Sequence, residues 1–274
     1  MGKIIAIANQ KGGVGKTTTA INLSSCISEL EKKVLLIDMD PQSNTTSGYG
    51  IERSSIRNSV YELIMGECTV RDAVISLDNP KMDLIAAVTD LAGAEIELID
   101  YEDKEFRLKT SLENVKDEYD YIFLDCPPSL SMITVNCLTA ADSVLIPMQA
   151  EYYALEGLAL LVNTIEMIRE RLNPNLHIEG ILFTMYDGRT RLSQEIVENV
   201  KENLNVKIYE TIIPRNVRLA EAPSYGMPIN LYDNRSKGSK RYMDLAAEIL
   251  NLQIARRSPK KKGKSASDKK KKKH

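Results

Sequence analysis

Short apolar runs without polar alternation punctuate this chain at wide intervals. Ile4-Ile5-Ala6-Ile7-Ala8 is the first, Val34-Leu35-Leu36-Ile37 the second, and Tyr121-Ile122-Phe123-Leu124 the clearest of the later ones. Runs this short suit strands buried on both faces, as in a parallel sheet. Further strands are expected at 82–86, 143–148, 178–185 and 208–213. Between them the apolar spacing switches to the three-and-four rhythm of an amphipathic helix. It does so over 16–30, in short pieces near 60–65 and 69–76, then over 90–99, 105–115, 129–139 with Ser129 as N-cap, 153–171, 193–204 and 237–252. Residues 42–58, rich in Ser, Thr, Asn and Gly, read as a mobile loop. Strands alternating with helices predict an α/β fold in three layers, a mostly parallel central sheet flanked by helices on both faces. No internal repeat and no dividing linker is visible in residues 1–255, so a single domain is expected there.

Composition adjusts this picture in three ways. Of 274 residues 43% are hydrophobic, yet there is no Trp and only 3 Phe, so the core is aliphatic. No run approaches the roughly 18 apolar residues of a membrane-spanning helix. The first apolar stretch is short and runs straight into a glycine-rich turn, so no secretory leader is expected. Cys26, Cys68, Cys126 and Cys137 are widely spaced, which suits packed free thiols in a reducing cytoplasm. Charge is unevenly placed. Residues 256–274 hold 11 Lys and Arg against one Asp, a balance of +10; with −2 overall, residues 1–255 carry −12. This lysine-rich tail lacks apolar periodicity and is expected to be disordered. Its chemistry suits DNA phosphates or anionic lipid, and it equally suits a merely solubilising end.

The chemistry begins where the first strand ends, at Lys11-Gly12-Gly13-Val14-Gly15-Lys16-Thr17-Thr18. Strand, glycine-rich turn and helix is the context of a phosphate-binding loop. Curled backbone N–H groups and a helix N-terminus attract an anion. Lys16 is placed to reach β- and γ-phosphates, and the Thr17 hydroxyl to ligate Mg²⁺. The usual spacing would require glycine at position 10, where this chain has Gln10, and an additional lysine, Lys11, opens the loop. Asp125 ends the strand at 121–124, where a magnesium-holding carboxylate belongs. Asp38 and Asp40 end the strand at 34–37. Asp40 is the candidate for orienting or deprotonating an attacking water, and Asp38 for supporting the ion from behind its direct ligands.

The loop with its leading lysine resembles the deviant Walker A motif. Asp38-Met39-Asp40-Pro41-Gln42, Leu124-Asp125-Cys126-Pro127-Pro128-Ser129, Glu151-Tyr152-Tyr153-Ala154-Leu155-Glu156-Gly157 and the stretch from Pro214 through Arg215-Asn216-Val217-Arg218 to Ser224 follow in the order of the ParA/Soj partition ATPases. Over residues 2–252 the chain is thus similar to that family of P-loop NTPases. The resemblance implies ATP and Mg²⁺ as cofactors and an ATP-dependent homodimer in which Lys11 reaches the partner's nucleotide, with Gly12 small because the partner approaches it. It implies an adenine slot formed by Pro214 and Asn216, with Met185 packing against the base. It also implies non-specific double-stranded DNA binding through Arg189 and Arg218, a ParB-like centromere-binding partner that stimulates slow hydrolysis, and a cytoplasmic, nucleoid-associated protein that segregates chromosomes or plasmids.

Two relatives offer rival readings. A MinD-like membrane-positioning ATPase shares the loop, but residues 256–273 contain no apolar residue beyond Ala266 to insert into lipid. A nitrogenase-iron-protein-like role would need cluster cysteines, and neither Cys126 nor Cys137 sits in a recognisable ligand loop.

Overall fold

The computed structural model describes residues 2–78, 80–151, 154–204 and 206–252. In its first half β1 (Lys3–Ile7), α1 (Lys16–Glu29), β2 (Val34–Asp38), α2 (Asn44–Gly48), α3 (Val60–Met65) and α4 (Val70–Ala73) are followed by β3 (Val74–Asp78), β4 (Lys81–Ile85), α5 (Leu91–Glu97) and α6 (Arg107–Glu113). Then come β5 (Tyr121–Asp125), α7 (Met132–Ala140), β6 (Ser143–Gln149), α8 (Ala154–Arg171), β7 (His177–Thr184), α9 (Arg191–Asn203), α10 (Val217–Glu221), α11 (Ile229–Tyr232) and α12 (Lys237–Ile249).

The seven strands form one sheet in the order β3-β4-β2-β5-β1-β6-β7. Every pairing is parallel except that of β3 with β4. Because successive side chains of a strand point to opposite faces, the apolar runs feed two cores. Ile4, Ala6, Leu35, Ile37, Ile122 and Leu124 pack on one side with residues of α3 to α9. Ile5, Ile7, Val34, Leu36 and Phe123 pack on the other with α1, α11 and α12. Helices covering both faces are what make alternation unnecessary in these strands. From β1 the chain builds outward to β5, β2 and β4 on one side and to β6 and β7 on the other. The carboxyl end of β1 is therefore the switch point at which such sheets bind ligands.

Four local expectations need correction. Residues 42–58 are not a plain mobile loop, since they contain α2 and a single 3₁₀ turn, Arg53–Ser55. The expected helix at 69–76 stops at Ala73. The β-branched pair Val74-Ile75 then starts β3, an edge strand that pairs antiparallel with β4. The helix after β5 begins after Ser131, whose hydroxyl makes no capping bond, rather than after Ser129, whose carbonyl accepts from Thr134 Oγ1 at 2.6 Å. Residues 208–213 form no strand: Ile208 makes a single bridge to Ile181 of β7, and a second isolated bridge joins Tyr186, past the end of β7, to Pro214. The lysine-rich tail, 256–274, lies outside the described residues.

Candidate active site

Gly13 and Gly15 give the phosphate loop its shape. Their φ values are +73° and +88°, and Gly15 caps α1 in the left-handed region. A Cβ at Gly13 would meet nothing within 4 Å, and one at Gly15 would meet Thr184 only at 3.8 Å. Backbone conformation rather than space is thus what requires glycine. The loop is braced from the neighbouring strands. Thr184 Oγ1 donates to the Val14 carbonyl at 2.7 Å, Gln149 Nε2 to the Gly13 carbonyl at 2.9 Å, and Asn9 Oδ1 accepts from the Lys11 amide at 3.0 Å. With carbonyls tied outward in this way, the amide groups are left to face an anion at the α1 N-terminus.

The two lysines of the loop go different ways. Lys16 is buried, and its Nζ lies 3.4 Å from the Lys11 carbonyl, across the mouth of its own loop. Burial lowers its pKa, while the charges of Asp125, Cys126 and Asp40 oppose that shift. Lys11 points outward and pairs with Glu151, Nζ to Oε2 at 2.6 Å, both side chains partly exposed. Sequence reasoning quoted Glu151 within a motif but did not foresee this contact.

Opposite the loop stand three carboxylates. Asp125 is fully buried at the end of β5, and Thr45 Oγ1 donates to its Oδ2 at 2.8 Å. Burial pushes its pKa up; hydrogen bonds from Thr45 and Thr17 and the Lys16 charge pull against that. Its Oδ1 is buried without a hydrogen-bond partner. An orphaned carboxylate oxygen beside a threonine hydroxyl is an all-oxygen donor pair of the kind Mg²⁺ takes, so the residues present fit that ion. Asp38, expected to support the ion from behind its direct ligands, stands beside Asp125 and has both carboxylate oxygens occupied. Its Oδ1 accepts the Asp40 amide at 3.2 Å, while its Oδ2 accepts the Thr46 amide at 2.8 Å and hydroxyl at 2.7 Å. Burial, and then the Asp125 charge, raise its pKa. It organises the Asp40 turn. Asp40 itself is nearly buried, and its Oδ1 accepts the Gln42 amide at 2.9 Å.

The remaining candidates lie along the β7 edge. Met185 follows β7 at φ +48°, and Gln149 Nε2 donates to its Sδ at 3.0 Å. The bridge from Tyr186 to Pro214 sets the 185–190 loop beside residues 214–218, which brings Met185, Pro214 and Asn216 onto one wall. Asn216 caps α10, its Oδ1 accepting the Arg218 amide at 2.8 Å, so the cap occupies its oxygen and not its Nδ2. The two expected DNA-binding arginines share this region, and each already has an acidic partner. Arg189 is gripped by both oxygens of Asp187 at 2.8 and 2.6 Å; Arg218 meets Glu221 at 2.8 Å and Asp233 at 3.7 Å. Cys126 and Cys137 are buried free thiols facing the core. Neither lies on a surface that a second subunit could share, which removes the support for an iron-cluster role.

Thr45, Thr46, Gln149 and Thr184 were missed by sequence reasoning. The first two were visible only as polar residues following the Asp38–Asp40 stretch.

Residues 2–178 match a family described as "AAA domain". The sporulation initiation inhibitor protein Soj of Bacillus subtilis is 54% identical over 249 residues, 91% of this chain and 98% of that protein. The chromosome partitioning protein ParA of Myxococcus xanthus is 48% identical over 250 residues, 91% of this chain and 88% of that one. Among solved structures, cobyrinic acid a,c-diamide synthase from Mycobacterium smegmatis with bound ATP analog and magnesium superposes with a TM-score of 0.82. It is 33% identical, covering 92% of this chain and 95% of that chain.

Proposed function

This chain belongs to the ParA/Soj family of chromosome-partitioning ATPases, and on that premise we propose that it is an ATP-dependent dimerising switch that grips DNA in its ATP state and lets go after hydrolysis. The observation that carries this reading is the divergence of the two loop lysines. Lys16 turns into the cradle, where a cation meets the β- and γ-phosphates. Lys11 stands outside it, on a face that a second copy of the chain can approach. A cation presented outward at the mouth of a phosphate loop is useful to the partner's nucleotide, and its attraction grows with the charge of a γ-phosphate. Gly12 supports the same reading. A Cβ there would meet nothing within 4 Å of its own chain, so this chain's own fold sets no limit on its size, and the proposal assigns that limit to the partner's approach.

In this reading the loop amides and Lys16 hold the triphosphate, and Pro214, Asn216 and Met185 hold the base. Thr17 and Asp125 hold Mg²⁺, which supplies charge neutralisation across the phosphates when bound. Asp40 orients the attacking water and takes its proton. Hydrolysis is slow in isolation because nothing in one protomer completes the charge stabilisation, and a ParB-like partner accelerates it. DNA phosphates are bound non-specifically by Arg189 and Arg218 from both subunits, and exchange of their acidic partners for phosphate is part of that step.

Co-sedimentation of the full chain with plasmid DNA in ATP, ADP and no nucleotide tests the proposal. Retention is expected to be strong with ATP and Mg²⁺ and markedly weaker with ADP. Equal retention in all three conditions would refute the switch.

A further inference from the structure

Some helical hydroxyls in this protein bond back to their own helix: Ser24 donates to the Ala20 carbonyl, Ser47 to Ser43, Ser111 to Arg107 and Thr164 to Leu160, all between 2.6 and 2.9 Å. Others, among them Thr19, Ser25, Ser28 and Thr46, bond to groups outside their helix. Thr45 is of the second kind, and its partner is a carboxylate of the site. Its hydroxyl crosses 80 residues of sequence to Asp125 Oδ2 at 2.8 Å, and the side chain is fully buried. The Asp125 carboxylate therefore has one oxygen pinned from α2, while its Oδ1 is buried without a hydrogen-bond partner, and Thr17 and Lys16 of the phosphate loop stand close enough to act on the same carboxylate. Thr45 follows directly on the Asp40 turn, in which the Ser43 amide donates to the Asp40 carbonyl at 2.8 Å.

We infer that Thr45 is a positioning residue for the metal-holding carboxylate, one that aims Asp125 Oδ1 at the ion and links the ion's arrival to the Asp40 turn. The inference rests on the reading of Asp125 as the Mg²⁺-holding carboxylate. A ligand with one oxygen fixed in advance loses less orientational freedom when it takes the metal. Outer partners of this kind typically carry about 10–100-fold in metal affinity. Thr46, next in sequence, is excluded from the role, since its hydroxyl is committed to Asp38 and to the Ala87 amide.

The test is a Mg²⁺ titration of the full chain, read by the fluorescence of a mant-labelled ATP analogue. Thr45→Val keeps the shape and removes the hydroxyl. It is expected to raise the Mg²⁺ midpoint by about 10–100-fold, with affinity for the analogue in EDTA unchanged. Thr45→Ser restores the hydroxyl and is expected to return the midpoint to within about threefold. Thr45→Ala serves if the valine variant does not fold. A wild-type midpoint in the valine or alanine variant overturns the inference. So does a serine variant as impaired as valine, because the effect would then belong to the methyl group. Asp125→Asn separates this from the reading beneath it. If it leaves the Mg²⁺ dependence untouched, the assignment of Asp125 fails; if it alters that dependence while Thr45→Val does not, only the role of Thr45 fails.

Discussion

Lys16, Asp40 and Asp125 occupy one small space although they come from three different loops, and each is held there by backbone rather than by chance. Lys16 rides on the first turn of α1, Asp125 closes β5, and Asp40 hangs from a turn whose amide is tied to Asp38. Asp40 has no direct bond to the phosphate loop, so its loss should leave that loop intact. Asp40→Ala is accordingly expected to bind a fluorescent ATP analogue as tightly as the wild type, within a few-fold. Its steady-state hydrolysis is expected to fall by about 10²–10⁴, the usual contribution of a positioned base. A stopped-flow binding assay beside a phosphate-release assay separates the two. Hydrolysis at the wild-type rate would remove Asp40 from water activation. These three residues were legible in the sequence because each follows an apolar strand, at the place where a sheet of this type presents ligands. The hydroxyls and amides that orient them were not. Thr184 braces a carbonyl 170 residues away and Gln149 one 136 residues away, and local sequence carries no trace of such pairings.

Among the elements, the long periodic helices and the buried strands emerge close to where the apolar pattern puts them, because burial on one or two faces dictates that pattern directly. The failures are short elements whose identity comes from tertiary partners. Ser43-Asn44-Thr45-Thr46-Ser47 has the composition of a loop, yet two of its hydroxyls satisfy buried carboxylates and make a helix of it. Val74–Asp78 is a strand because β4 offers an edge. Thr46 shows how much one such tie holds. Its hydroxyl donates to Asp38 Oδ2 and accepts the Ala87 amide at 3.0 Å, so it joins the Asp40 turn to the residues after β4. Thr46→Val leaves a buried amide unpaired and strips one donor from a buried carboxylate. It is expected to lower unfolding free energy by about 1–3 kcal/mol, read as a fall in the urea midpoint at unchanged slope. Thr46→Ser should recover most of that loss. An unchanged midpoint would mean that water replaces the hydroxyl at no cost.

At the scale of the whole molecule, the difficulty for a DNA-binding reading is charge. Residues 1–255 carry −12, and the two arginines assigned to DNA are each paired with acids of the same chain. Dimerisation places two such faces together and offers phosphates a bidentate contact at four arginines, but it also doubles the repulsion. Residues 256–274 carry +10, and on the proposed reading they are the available compensation; the two contributions would have different signatures in salt. The logarithm of DNA affinity falls with the logarithm of salt by about 0.9 for each phosphate neutralised. Arg189→Ala removes one contact per subunit and is expected to reduce that slope by about 2 per dimer, while ATP-dependent dimerisation in gel filtration is retained. Replacing the tail lysines 260–262, 264 and 269–273 with glutamine removes nine charges per subunit, and the slope is expected to drop by several units more. Under the proposed switch the nucleotide governs the arginine face, so the tail's share of binding is expected to be the same in ATP and ADP and the share of Arg189 to exist in ATP alone. A tail variant with the wild-type slope would leave those lysines as a solubilising end, and the arginine face would then have to overcome the acidic domain unaided.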